Sequence, residues 1–249
     1  MAESPPLLES LTDPRITPEF CRHIDGTSGD LYLLGVVHDH PASIGRVERT
    51  LEAVDPDTLA LELPPAAVAL YQTYAADTNA AEPPRFGGEM SAAIRATDAE
   101  IVGIDAPNWS FLRRVLTRLV ADRASAATAR RVLSSLSGAT REALTCRVAA
   151  TLNHATSMTV AYDDPVEYEC SYDDPPIEQA DHERGHVATV QALLGSVDTD
   201  GSALAYRDET REDCMSDRLA ELHTDTDGDV VAVVGIDHLE ALETSLETV

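Results

Sequence analysis

The sequence predicts an α/β fold, with a central, mostly parallel or mixed sheet of two related halves, helices on its faces and a helical insertion in the middle. Three observations carry that prediction. Two apolar runs, Leu31-Tyr-Leu-Leu-Gly35-Val-Val-His38 and Val230-Val-Ala-Val-Val-Gly235-Ile-Asp-His238, each read as a buried strand leading into Gly-x-x-His. Between them, stretches with apolar residues at helical spacing alternate with further short β-rich runs. Finally, 249 residues, 43% of them hydrophobic, suffice to bury one core, or one core with an inserted helical part.

Taken in order, residues 1–19 form a polar lead-in with four prolines. Residues 21–24, the turn-forming Asp25-Gly-Thr-Ser-Gly29 and residues 31–37 predict a hairpin, with Gly35 letting the backbone bend. After His38-Asp-His-Pro, Ser43 would cap a helix bearing Ile44, Val47, Leu51 and Val54, which ends at Asp55-Pro-Asp57. Residues 58–63 give the next strand, halted by Pro64 and Pro65. A right-handed crossover would place it parallel to the first motif strand, in one sheet. Gly87-Gly-Glu89-Met90 opens a helix with Ala92, Ala93 and Ile94, before a strand over 100–105 that delivers Asp105.

Residues 109–156 have helical spacing, broken near Ser137-Gly138, and carry no evident chemistry. Residues 161–183 hold nine acids, three prolines and no lysine or arginine, which predicts an exposed loop. Helices over about 184–195 and 203–223 precede the last strand, and a short helix closes the chain from His238. The domain plan is thus a single domain over 1–249. It has an N-terminal α/β half (20–108), a helical insertion (109–200) containing the acidic loop 161–183, and a C-terminal motif half (201–249).

Charge narrows the function. Forty-four acids face 18 bases, all arginine, for a formal charge of -26. Binding a phosphate backbone needs basic surface, so nucleic acid is excluded as a partner. A dense, dispersed carboxylate surface resembles the cytoplasmic proteins of extreme halophiles. Cys21, Cys146, Cys170 and Cys214 are scattered, without a Cys-x-x-Cys pair, which argues against a disulfide framework or zinc ribbon and for a reducing compartment. The first residues have no signal-peptide pattern and no apolar run reaches a membrane span, so the expected location is the cytoplasm, without membrane partners. A homodimer is compatible with these features.

In open α/β sheets, ligands bind at the carboxyl ends of strands, where both Gly-x-x-His motifs deliver their histidines. Glu62 joins them as an acid between leucines, costly to bury unless paired or bound to a cation. Two imidazoles and a carboxylate suit a catalytic divalent metal with an open position for water, making His38, Glu62 and His238 the candidate ligands. A competing motif, His182-Glu-Arg-Gly-His186, matches His-Glu-x-x-His, but Arg184 and the helix-weakening Gly185 occupy its inner positions and no third ligand accompanies it. Arg211 either clamps a carboxylate or oxyanion or offsets neighbouring acids. Glu89, opening a helix, is either a dipole partner or a catalytic group.

The ordered motifs Gly35-Val-Val-His38, Asp55-Pro-Asp-Thr-Leu-Ala-Leu-Glu62-Leu, Gly88-Glu89-Met-x-x-Ala-Ile, Ile104-Asp105, Arg211-Glu-x-x-Met215 and Gly235-Ile-Asp-His238-Leu closely resemble the TraB/PrgY family. That family is related to the Tiki metalloproteases and, more distantly, to the erythromycin-esterase and ChaN-like proteins. The resemblance spans roughly residues 31–105 and 205–245. It implies a shared site in which His38, Glu62 and His238 match the metal and catalytic positions, and Glu89 and Arg211 the other polar motif positions. The function it implies is a metal-dependent, peptidase-like hydrolase using Mn, Co or Zn, with Glu62 or Glu89 acting on the nucleophilic water and Arg211 steadying a substrate carboxylate or oxyanion. The alternatives are a non-enzymatic module that sequesters a peptide or small ligand in the same cleft, and a zincin built on His182 and His186.

Overall fold

The structure, a computed structural model, describes residues 8, 11–76, 83–105, 166–196 and 203–247. The expected helices over 109–156, and with them most of the proposed insertion, lie outside the described residues. Five strands, β1 (Cys21–Ile24), β2 (Leu31–Val36), β3 (Thr58–Leu61), β4 (Glu100–Gly103) and β5 (Val230–Gly235), make one sheet in the order β1-β2-β5-β3-β4. β1 pairs antiparallel with β2 and every other pairing is parallel, so the fold is α/β with a mixed sheet. Among the described residues it is flanked by helices α1 (Pro41–Val54), α2 (Val68–Ala76), α3 (Gly88–Arg95), α4 (Pro176–Ser196), α5 (Ala203–Asp225) and α6 (Ile236–Leu246). None is long and apolar enough to cross a membrane.

The two-residue period of the strands explains the layers. Tyr32, Leu34 and Val36 of β2, Val231 and Val233 of β5, and Leu59 and Leu61 of β3 pack with Val47 and Leu51 of α1, Leu70 of α2, Met90 of α3 and Val187 of α4. The alternate residues Leu31, Leu33, Val230, Ala232, Val234 and Ala60 pack with Met215 and Leu219 of α5 and Leu239 and Leu242 of α6. Burial on both faces is why β2 and β5 read as continuous apolar runs rather than alternating ones.

β2 and β3 are parallel members of one sheet, as expected, with β5 between them. Two other expectations shift. α1 starts at Pro41 instead of at a Ser43 cap, because proline suits the first helical position and His40 Nδ1 accepts from Ala42 N at 3.1 Å. α4 starts at Pro176, so the last eight residues of the stretch expected to be loop, 176–183, are helical. There Glu178 favours the positive helix end, and Gln179, Ala180 and Glu183 form a buried face. An acidic composition misread as exposure missed that Glu183 has an internal counter-charge.

Candidate functional site

The parallel register brings the two motifs side by side. Val36 of β2 is opposite Gly235 of β5, and Leu61 of β3 is opposite Val233, so Val37-His38, Ile236-Asp237-His238 and Glu62 all leave the same sheet edge. Neither motif glycine uses a positive φ. A Cβ at Gly35 would lie 2.8 Å from Ile236 Cδ1 and 2.9 Å from Leu239 Cδ2, so the residue serves the close approach of α6 and not a bend, which corrects the expectation. Gly235 caps α6, its N–H donating to Glu62 Oε2 at 2.6 Å, and His238 stands in the first turn of that helix.

Each motif histidine has a carboxylate on Nδ1. His38 Nδ1 lies 3.1 Å from Glu89 Oε1, while Glu89 Oε2 accepts from Asp39 N at 2.8 Å. His238 Nδ1 lies 2.9 Å from Glu212 Oε1. With carboxylates as acceptors, Nδ1 carries the proton in both rings. Each Nε2 also faces a carboxylate, His238 toward Glu62 Oε1 at 3.4 Å and His38 toward Asp39 Oδ2 at 3.5 Å. A lone-pair nitrogen opposite a carboxylate oxygen is satisfied when a proton or a cation stands between them.

Supporting groups fix these positions. Asp39 turns the chain at φ 56°, accepts Val166 N on Oδ2 at 2.9 Å, and fits against Gly88, where a Cβ would come within 2.1 Å of Asp39 Oδ1. Tyr168 donates to the His38 carbonyl at 2.7 Å, and burial, with Asp39 and Glu89 adding to it, pushes its phenol up to about 12, so it stays a donor. Arg211 on α5 grips Asp105 with Nε at 2.9 Å and Nη2 at 2.8 Å, and Nη2 also reaches Glu62 Oε1 at 2.8 Å.

The structure therefore brings His38, Glu62 and His238 to one cavity of about 340 Å³, together with Gly235, Ile236 and the α4 residues His186, Val187 and Val190. A second recess of about 260 Å³ shares His38 and Glu62 and is closed by Tyr71, Glu89 and Met90. The three predicted ligands are not one tight cluster. Among the described residues, the groups whose donor atoms lie mutually within 4.8 Å are His38 with Asp39 and Glu89, and, elsewhere, His23 with Asp25 and Asp30. Glu89 is almost fully buried and spent on His38 and Asp39, which suits an orienting role. Arg211 has its charge matched by two carboxylates. Glu212 and Tyr168 escaped the sequence reading, although Glu212 sits inside the Arg211-Glu-x-x-Met pattern.

The His-Glu-x-x-His stretch lies on α4 with its members divided. Glu183 is fully buried, paired with Arg46 and accepting from Ser43 Oγ at 2.5 Å. His182 Nδ1 meets His40 Nε2 at 2.9 Å. Since His40 Nδ1 accepts a backbone N–H, its Nε2 is the protonated nitrogen and donates to His182. Burial lowers the His40 pKa to about 3, with His182, His186 and Arg46 adding to it, so the ring is neutral. His186 alone of the motif faces the main cavity. No protein-family model, no curated protein and no solved structure matches the chain.

Proposed function

We propose that the chain is a metal-dependent, peptidase-like hydrolase whose ion is held by His238 and Glu62, with His38 on the same cavity wall as the third candidate ligand. The observation that carries this reading is the carboxylate found at both nitrogens of both histidines. Metal-binding imidazoles characteristically donate their second nitrogen to a carboxylate. Two ligands about 2.1 Å from a tetrahedral ion stand about 3.4 Å apart, which is the spacing of His238 Nε2 and Glu62 Oε1, 3.4 Å. Imidazole with carboxylate suits Zn, Mn or Co. When bound, such an ion would polarise a carbonyl and lower the pKa of water.

The chain's own groups then have distinct tasks. Glu89 and Glu212 orient the rings and keep the proton on Nδ1. Arg211 and the Gly235 N–H together hold Glu62 facing the cavity in one orientation, as an ion ligand would need. We further read the β2-His38-Glu89 and β5-His238-Glu212 units as two related halves, with residues 109–200 inserted between them. The buried thiols of Cys21 and Cys170 favour a cytoplasmic setting.

The test is metal analysis of the wild type beside His38→Ala, His238→Ala, Glu62→Gln and His182→Ala, with cleavage of a peptide mixture before and after chelation. One equivalent of metal, lost in the first three variants and kept in the fourth, with metal-restored cleavage, is the expected result. A reconstituted wild type that retains no metal and cleaves nothing overturns the proposal. Retention of an intact peptide would replace it with the sequestering module.

A further inference from the structure

We propose that the α4 face made by His186, Val187, Val190 and Gln191 is the wall of a substrate side-chain subsite that takes an apolar residue of a neutral or cationic peptide, with His186 donating a hydrogen bond to the peptide carbonyl beside it. This rests on the hydrolase reading for the reaction, but not for the binding.

The cavity is asymmetric. Its polar end holds the two motif histidines and Glu62, and its remaining lining is largely apolar, with Val36 and Ile236 from the sheet edge opposite Val187 and Val190 of α4. At about 340 Å³ it lies at the low end of the roughly 300–1,000 Å³ range of small-ligand sites. That volume suits one side chain with its flanking peptide units. Glu62 and Asp237 line it and, among the described residues, no arginine does, so away from the ion no fixed positive side chain is placed to pair a substrate side-chain carboxylate. The wall is firmly held. Glu183 ties α4 to Arg46, His182 ties it to His40, and the Tyr168 ring packs edge-on against His186 at 5.4 Å. His186 packs against the rings of His40 and Tyr168 and lines the cavity, and among the described residues no hydrogen bond to its ring is seen, so its nitrogens are placed to meet substrate.

The test uses short amidated peptides that differ at one residue, Ala, Leu, Phe or Asp, with kcat/KM read for each. The wild type is expected to favour Leu over Asp at least tenfold. Val190→Trp, filling the cavity, is expected to reduce the Leu-to-Ala ratio by about tenfold, and Val190→Ala to move the optimum to Phe. His186→Ala is expected to raise KM about tenfold at unchanged kcat, with His186→Gln restoring it. Unchanged ratios in both Val190 variants overturn the inference. If the wild type cleaves no peptide, the hydrolase reading has failed and the subsite is read by NMR titration with N-acetyl-leucinamide. Shifts at Val187 and His186 that Val190→Trp abolishes support it, and their absence overturns it.

Discussion

Replacing Glu183 by alanine separates two roles that a His-Glu-x-x-His glutamate can play. Both Glu183 and Arg46 side chains are 0% exposed. Without the carboxylate, Arg46 still donates to the carbonyls of Arg15 at 2.7 Å and Gly35 at 2.8 Å, but its charge is left buried without a counter-ion. Breaking such a pair from one side costs about 3–5 kcal/mol, which is a factor of roughly 10² to 10⁴ in the folding equilibrium. That is a large part of the 5–15 kcal/mol typical of a folded domain. Urea denaturation followed by circular dichroism, at one fixed high salt concentration, measures it, because burial leaves the pair little screened. The double variant Arg46→Met with Glu183→Leu is expected to recover most of the loss, since a packed apolar pair replaces both charges. A Glu183→Ala protein within about 1 kcal/mol of wild type that has lost its metal would refute the structural role and restore the zincin reading.

Other outcomes follow from the same geometry. Gly185→Ala, where an added Cβ meets nothing within 4 Å inside α4, is expected to stabilise the protein by about 1 kcal/mol in the same denaturation assay. Glu212→Ala is expected to weaken metal retention about 10- to 100-fold, measured by competition with a chelator; equal affinity would show that the Nδ1 partner of His238 is dispensable. Burial pushes the Cys21 thiol up to about 11, so alkylation at pH 8, mapped by mass spectrometry, is expected at Cys21 only after unfolding. Burial opposes ionisation of Asp13, but its bonds from Arg15 outweigh this and hold its pKa below 3.8. Its contribution is therefore present above pH 3.8 and lost as pH falls through the lower folded value, and Asp13→Asn is expected to flatten that part of the acid limb of the stability curve.

Much of this was legible in the residues because local patterning and burial agree. The runs at 31–36 and 230–235 are strands buried on both faces, and short, uninterrupted apolar sequence, rich in valine in the second, leaves little alternative. Glu62 betrayed itself by being an acid where an apolar residue would be cheaper, and its partners Arg211 and Gly235 supply the compensation. What sequence could not carry was pairing across distance. Nothing local says that β5 enters between β2 and β3, that Glu183 meets Arg46 across 137 positions, or that Glu212 supports His238. The acidic residues before α4 were read by their average charge, whereas one buried arginine decided the fate of Glu183.

The position of β5 has a consequence for how the chain comes to exist. A strand that is last in sequence but central in the sheet leaves β2 and β3 each with an open edge until residues 230–235 arrive. During synthesis, more than two hundred residues must leave the ribosome before the sheet closes, with two apolar edges exposed to wrong pairing in the meantime. The same event that ends this hazard brings His238 beside Glu62. Completion of the fold and assembly of the cleft are thus one step, and a chain interrupted before β5 carries neither.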